Sequence, residues 1–301
     1  MDLKQVDQLK ILFIKQNNLE LAILPELGGS IAFAKYNNID FMRPWTGELT
    51  PRRTCCYPLV PFSNRIENGQ FSFNGKLYQL DKNFGSHPHT IHGVAWQRPW
   101  QVLELNEAKV VLYYDHIPEI DRSNSWPFAF SVTQQIELSQ NSLVMTMTIK
   151  NKDIQDIPVG FGWHPFFPRH DEVLLQFSAD HVVLNNQSML PEKIVPLPDK
   201  WNYQTLKPLG EPNLDNCFVN WQGQAMIHWP NKKLSLSLTA SNALSHLVVM
   251  TPESPMNTFF AVEPVSHINN AINSLEPKKQ GICFLAKGQT LSGWMRLQIV
   301  E

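Results

Sequence analysis

Proline is the feature that most limits what this chain can fold into. Its 22 prolines are spread along the whole 301-residue sequence. Each lacks a backbone N–H and would clash with the preceding turn inside a helix. Long helices are therefore disfavoured over the whole chain, and a short helical turn is expected only where prolines are absent, as in 268–275 (INNAINSL).

Between the prolines, apolar and polar residues alternate with the period of a half-buried β-strand. The segments 130–138 and 142–150 alternate on either side of a short polar turn, which predicts a hairpin. The segment 70–80 predicts a second hairpin with Asn74 and Gly75 at its tip, because this pair readily takes positive φ. Many short strands with frequent turns predict an all-β fold, a large antiparallel sandwich or barrel.

Composition indicates one large core and argues against several classes of partner. With 43% hydrophobic residues and no linker, repeat or low-complexity tract, residues 1–301 are expected to form a single domain. A net charge of -2 provides no basic field for nucleic acid. The charged N-terminal segment does not resemble a signal peptide, and no apolar run is long enough to span a membrane. A cytoplasmic protein without a membrane or nucleic-acid partner is expected.

The four cysteines do not form a recognisable disulfide or metal motif. They are Cys55, Cys56, Cys217 and Cys283, and none of them makes a CxxC pair. The adjacent Cys55 and Cys56 are badly placed to bridge each other. All four are interpreted as reduced thiols.

Three of the ten histidines, His87, His89 and His92, lie within six positions. A metal site would need a further ligand or a water, and carboxylates to orient the rings. No acidic residue lies between Asp81 and Glu104, so no metal is predicted. His87 and His89 are interpreted as packed loop histidines, and His92, which precedes a glycine, as a functional residue.

Three further places put polar groups in apolar surroundings. They are Arg65 within 58–69, His164 between an aromatic residue and a proline, and Glu263 at the end of an apolar strand. The ordinary interpretations are a surface turn, a packed core histidine and a surface glutamate. A glutamate and a histidine that meet in a cleft would instead supply the base and the acid needed to move protons on a hydroxylated substrate.

Five short motifs, in this order, resemble the aldose 1-epimerases, the galactose mutarotase-like family. The resemblance spans nearly the whole chain, and it is carried by Asn64-Arg65-Ile66 with Gly69, by His92-Gly93 with Trp100, by Gly162 with His164-Pro165-Phe166-Phe167, by Asp215-Asn216-Cys217-Phe218, and by Glu263-Pro264.

The resemblance implies a β-sandwich that interconverts the α and β anomers of a free sugar by opening its ring. Glu263 would take the proton from the anomeric hydroxyl while His164 protonates the ring oxygen. The sugar would be held by Asn64, Arg65, His92 and Asp215, with Trp96 as an apolar wall. The partner would be a small-molecule sugar, and no metal or organic cofactor would be required. Unperturbed side chains would give a rate optimum between about pH 4.3 and about pH 6.5.

Two alternatives stay open at this point. Hexose-6-phosphate members of the family carry arginine a few residues after the His-Gly pair, where this chain has Trp96, and Arg98 comes two residues later. Arg52 and Arg53 provide another route to a phosphate, so a hexose-6-phosphate 1-epimerase is one alternative. A carbohydrate-binding protein that performs no chemistry is the other. The sequence indicates neither the sugar nor the oligomeric state.

Overall fold

The computed structural model describes residues 9–121, 123–169, 172–210, 214–252 and 258–300. The described chain is almost entirely β-structure, which confirms the all-β prediction. Its strands pair antiparallel throughout, and the single parallel contact in the described part is an isolated bridge between Val60 and Gly93. No helix in these ranges is long and apolar enough to cross a membrane.

The larger of the two main sheets has nine strands. In spatial order they are β10 (Gln101–Leu105), β11 (Lys109–His116), β12 (Phe130–Leu138), β13 (Ser142–Asn151), β27 (Thr290–Val300), β23 (Leu234–Ala240), β22 (Gln224–Trp229), β17 (Leu174–Phe177) and β20 (Lys207–Pro208). The hairpin predicted from the alternating pattern is β12 and β13, whose inward residues are buried and, apart from Gln134, mostly apolar.

The second main sheet has eight strands and carries most of the candidate site. Its order is β19 (Pro191–Pro196), β18 (His181–Asn185), β21 (Asp215–Val219), β24 (His246–Met250), β25 (Phe259–Val265), β15 (Gly162–Trp163) and β5 (Pro58–Leu59), and β16 (Phe166–Pro168) also pairs with β25. The strands β21, β24 and β25 are buried over nearly their whole length, as expected at the centre of a large sheet.

Smaller sheets and short helical turns complete the fold. A four-stranded sheet contains β1 (Leu12–Gln16), β2 (Leu19–Leu24), β3 (Ser30–Tyr36) and β4 (Ile39–Asp40). Two-stranded pairs are β6 (Arg65–Ile66) with β9 (Thr90–Ile91), β7 (Gln70–Phe73) with β8 (Lys76–Gln79), and β14 (Ile157–Val159) with β26 (Cys283–Leu285). The one α-helical turn among the described residues is α1 (Pro118–Asp121), and 3₁₀ turns span Pro51–Arg53, Glu67–Gly69, Ala95–Gln97, Asp199–Trp201, Pro230–Lys232 and Ala271–Asn273.

The two main sheets share one hydrophobic core. Phe177 of the nine-stranded sheet packs edge-on against Phe218 of the eight-stranded sheet, with ring centroids 4.8 Å apart. The buried indole of Trp163 donates to Gln134 Oε1 at 2.8 Å, so the polar atoms that cross between the sheets are satisfied.

Candidate active site

A cavity of about 270 Å³ opens on one face of the eight-stranded sheet. The polar groups predicted from the sequence meet there, together with an aromatic wall. The described residues that line it are Arg52, Tyr57, Asn64, Arg65, Phe84, His87, Ile91, His92, His164, Phe166, Asp215, Met250, Phe259 and Glu263. A cavity with convergent polar groups and aromatic walls is the usual form of a small-molecule site.

The register of the sheet places His164 opposite Glu263. Gly162 pairs with Val265 and Phe166 pairs with Ala261, so the three residues between each pair face one another. In this segment the chain leaves the ladder between β15 and β16, and the backbone N–H of His164 donates instead to the carbonyl of Tyr57 at 3.0 Å. The imidazole and the carboxyl group therefore project into the cavity from neighbouring strands.

His164 Nε2 lies 3.2 Å from Glu263 Oε1. Glu263 is 3% exposed and His164 is 7% exposed, so each charged form would lose most of its hydration. Burial raises the pKa of Glu263 well above its usual range; Asp215 adds to this increase, and Arg65 opposes it. Burial, followed by the charge of Arg43, lowers the pKa of His164 to about 3. Burial therefore favours the arrangement in which a proton shared by the pair lies on Glu263 and His164 is neutral.

His92 presents a hydrogen-bond donor to the cavity. Its Nδ1 accepts the backbone N–H of Asn64 at 3.0 Å. Burial lowers the pKa of His92 well below its usual value, with smaller contributions from His164, Arg65 and His87. The ring is therefore neutral with its proton on Nε2, because one nitrogen of a neutral imidazole accepts and the other donates. This tautomer suits a sugar oxygen as acceptor.

Arg65 is held in place from two sides. Its Nη1 donates to Asn64 Oδ1 at 3.0 Å, and its Nη2 lies 3.1 Å from Asp215 Oδ2. The Arg65 side chain is 15% exposed and that of Asp215 is 27% exposed, so the pair lies at the cavity wall rather than in open solvent. Hydroxyl groups of a ligand would meet a fixed donor and a fixed acceptor side by side.

The glycine after His92 has a structural role instead of a ligand-contacting one. His92 and Gly93 both have positive φ, 65° and 70°. A Cβ on Gly93 would lie 2.2 Å from the carbonyl oxygen of Val60, so only glycine fits there. The tight packing of this turn positions His92 against Tyr57 and His164.

The other two clustered histidines differ from each other. His89 is a loop histidine, because its Nδ1 accepts from Asn68 N–H at 3.0 Å and its Nε2 lies 3.1 Å from the carbonyl of Ser188. His87, interpreted as loop structure, instead lines the cavity. Within the described ranges, no three His, Cys, Asp or Glu side chains are grouped as metal ligands.

Trp96 is not among the cavity-lining residues, which corrects its prediction as the apolar wall. It is 2% exposed and packs behind Tyr57 and Phe84, with ring centroids 5.6 and 5.9 Å away. Tyr57 and Phe84 themselves line the cavity. The apolar wall consists of Tyr57, Phe84, Phe166 and Phe259, of which only Phe166 belonged to a motif identified in the sequence.

Comparison with known proteins identifies a family that this chain matches. A family model described as Aldose 1-epimerase matches residues 10–298. The uncharacterised protein YphB of Escherichia coli K12 is 26% identical over 278 residues, which are 90% of this chain and 93% of YphB. The uncharacterised YihR of the same organism is 27% identical over 263 residues, covering 84% of this chain and 83% of YihR.

Solved structures share the fold. A candidate aldose 1-epimerase from Escherichia coli K12 superposes with a TM-score of 0.90 at 25% identity, covering 97% of this chain and 99% of that one. A galactose mutarotase-like protein from Clostridium acetobutylicum gives a TM-score of 0.86 at 20% identity, with 98% and 96% covered. The second likeness concerns the fold alone.

Proposed function

The chain belongs to the aldose 1-epimerase family, and from this premise we propose that it interconverts the α and β anomers of a free aldose. The observation that carries the proposal is the contact of 3.2 Å between His164 Nε2 and Glu263 Oε1 in the lined cavity. Anomer exchange needs one proton taken from the anomeric hydroxyl and one given to the ring oxygen. A buried pair that shares one proton supplies both functions.

In the proposed reaction the ring form of the sugar meets ionised Glu263 and protonated His164. Glu263 takes the proton of the anomeric hydroxyl, and the electrons of that O–H bond form the carbonyl of the aldehyde. The bond from the anomeric carbon to the ring oxygen breaks, and His164 gives its proton to that oxygen. Rotation about the bond between the first two carbons presents the other face of the aldehyde, and the reverse transfers close the ring.

The proton distribution that burial favours agrees with this cycle. After ring opening, Glu263 carries the proton and His164 is neutral, which is also the distribution that burial favours in the unliganded protein. The pair therefore has the same protonation state in the unliganded protein and in the complex with the open-chain aldehyde, and its net charge does not change during the reaction. When the ring form binds, its hydroxyl groups hydrogen-bond to the charged groups and favour transfer of the shared proton from Glu263 to His164.

The remaining polar residues would hold the sugar during bond rotation. His92 Nε2–H and the guanidinium of Arg65 would donate to sugar oxygens, and Asp215 would accept from hydroxyls. Asn64 acts through its contacts to Arg65 and His92. The aromatic wall excludes water on one side, which strengthens each of these hydrogen bonds. The proposed cycle uses side chains alone and assigns no step to a metal or organic cofactor.

A second candidate substrate class is supported by Arg52. This arginine lines the same cavity with its guanidinium 4.3 Å from the centroid of Phe84, and it makes no ion pair within the described ranges. An exposed cation at the mouth suits the phosphate of a hexose 6-phosphate. Arg53, the other arginine considered, does not line the cavity.

One experiment separates these functions. Anomer-exchange NMR on a panel of free aldoses and their 6-phosphates measures whether exchange is accelerated and for which class. Acceleration of free aldoses supports the main proposal, and a preference for 6-phosphates that Arg52→Met removes supports the second. Sugar binding without acceleration of either class would support a non-catalytic binding protein.

We also place the reaction in the cytoplasm. The four cysteines are all free and three of them are buried. Unpaired thiols suit a reducing compartment. Fractionation of the source cells tests this location.

A further inference from the structure

The imidazole of His164 lacks the partner that usually orients a catalytic histidine. Such a histidine is normally held by a third group that bonds the nitrogen away from the substrate. His164 Nδ1 is buried, and no hydrogen-bond partner for it exists in the described part of the chain. The single contact of Nε2 with Glu263 does not fix the plane of the ring. Another element of the structure must do so.

Aromatic stacking fixes the plane instead. The ring of Tyr57 stacks on one face of His164 with centroids 4.9 Å apart and planes at 26°. The ring of Phe166 also stacks on His164, with centroids 4.2 Å apart and planes at 30°. The Tyr57 and Phe166 centroids are only 6.1 Å apart and their planes are tilted by 43°, so the two rings pack against His164 from adjacent sides and do not sandwich it. The edge of His164 that bears Nε2 faces Glu263.

A cation closes the stack behind Phe166. The Arg43 guanidinium carbon lies 3.7 Å from the centroid of Phe166 and 4.4 Å from that of Phe259. Its Nη2 donates to the carbonyls of Arg52 and Thr54, each at 2.8 Å. Arg43 makes no ion pair in the described ranges, and its Nε is buried without a partner. Its uncompensated positive charge lies two layers from the catalytic imidazole.

We propose that Arg43 is a positioning residue for His164. Stacked on Phe166, it holds that ring against the imidazole and keeps His164 neutral until substrate binds. The inference rests on the proposed function, because it assigns Arg43 to the proton transfer at His164. A planar guanidinium suits this role, since it can stack flat on an aromatic ring while it bonds two carbonyls, whereas an ammonium group has no plane to stack.

The charge of Arg43 also has a consequence for acid strength. A nearby cation disfavours imidazolium, so protonated His164 becomes a stronger acid towards the weakly basic ring oxygen. The other groups that face His164 are Glu263 across the cavity floor, His92 at a centroid distance of 5.5 Å and Tyr57 in the stack. The Arg65 and Asp215 pair lies across the cavity, and Cys56, which precedes Tyr57 in the chain, contacts the backbone of His164. Burial is the larger cause of the lowered pKa of His164, and Arg43 is the second.

The test compares Arg43→Met, Arg43→Lys and Phe166→Leu with the parent. Arg98→Met is a matched control, because Arg98 is also half-buried and donates to a backbone carbonyl, in this case that of Asp121. Two quantities are measured: the pKa of His164 by NMR titration of its ring resonances, and kcat and KM for anomer exchange. The titration does not depend on activity, so it remains informative if the proposed function fails.

Arg43→Met should raise the pKa of His164 and lower kcat about tenfold with little change in KM, far less than the loss of about 10² to 10⁴ expected on removing the acid itself. Arg43→Lys should keep the low pKa but still lower kcat, because the charge remains while the planar stack is lost. Phe166→Leu should lower kcat in the same way without any change at Arg43.

An unchanged His164 titration and unchanged kcat in folded Arg43→Met, as in Arg98→Met, would contradict the proposal and leave Arg43 as a structural residue. If Arg43→Met does not fold, Arg43→Lys and Phe166→Leu decide the same question. Parental kcat in both would overturn the proposal.

Discussion

His164 and Glu263 stand opposite each other on neighbouring segments of the eight-stranded sheet, with Nε2 and Oε1 3.2 Å apart. Both side chains are almost completely buried. The carboxyl group loses hydration and its pKa rises, while the imidazole loses hydration and its pKa falls. In a surface pair of the same two residues, the glutamate would instead be ionised above about pH 4.3 and the histidine would titrate near pH 6.5. This reversal is the property on which the proposed chemistry depends.

The rate of anomer exchange should be constant over a wide pH range. The singly protonated pair persists from about pH 3, where His164 begins to accept a second proton, up to the raised pKa of Glu263, where the last proton leaves. The plateau in kcat/KM should therefore be wider than the interval from about pH 4.3 to about pH 6.5 that unperturbed side chains would give. A narrow bell confined to that interval would show that burial does not control the pair.

His164→Gln should reduce the rate severely while the protein remains folded. Glutamine keeps a hydrogen-bonding group near Glu263 but cannot carry a proton to the ring oxygen, so kcat should fall by about 10² to 10⁴. His89→Gln is the matched control, since His89 bonds only to loop backbone. Polarimetry on both variants checks this, and equal losses in the two would mean that the effect is not catalytic.

His92→Phe should weaken sugar binding more than it slows the chemical step. Phenylalanine keeps the ring but removes the Nε2–H donor and leaves the backbone N–H of Asn64 without its acceptor. Loss of one such hydrogen bond corresponds to a fall in affinity of up to about tenfold. Titration calorimetry and steady-state kinetics measure the two effects. A large loss in kcat with unchanged affinity would assign His92 to proton transfer instead.

Buried histidines should make the fold sensitive to acid. Burial lowers the pKa of His164 to about 3, and that of His246 and His267 to about 4 each. A histidine in the unfolded chain has a pKa near 6.5. As the pH falls below this value, the unfolded state therefore binds protons that the folded state does not bind. The free energy of unfolding should therefore be largest above that value. It should fall by up to about 1.4 kcal/mol per pH unit for each histidine as the pH decreases towards the folded pKa.

Urea unfolding at several pH values measures this slope. His246→Phe keeps a planar ring and removes one of the three titrating groups, so its slope should be shallower than that of the parent. A parental slope in this variant would mean that His246 is hydrated in the folded state.

The local β-structure was predictable from the sequence because turn residues and alternation act over short distances. The tip of the hairpin β7–β8 has Asn74 and Gly75 at φ 50° and 75°, as the residue types indicate. The hairpin β12–β13 was predicted in the same way. Alternation does not show which distant strands pair, so the adjacency of β13 and β27 could not be read from it.

The candidate site was only partly predictable, because the sequence does not show which distant residues come together in the fold. Its polar residues were identified because charged groups stand out in apolar segments, and the cavity contains Glu263, His164, His92, Asn64, Arg65 and Asp215. The aromatic wall was misassigned to Trp96, since a buried and a cavity-facing aromatic look alike in sequence. The protonation state of His164 and Glu263 could not be predicted from the sequence either, because it depends on burial and on Arg43, which is far from His164 along the chain.

The most direct test of the central claim is polarimetry of freshly dissolved sugar with the parent protein and with folded Glu263→Gln. The parent should accelerate the change in optical rotation for at least one free aldose. Because glutamine keeps the size of the side chain but cannot exchange a proton, the variant should be slower by about 10² to 10⁴ while it binds the sugar with similar affinity. Near-parental rates in Glu263→Gln, or no acceleration by the parent with any aldose, would contradict the account.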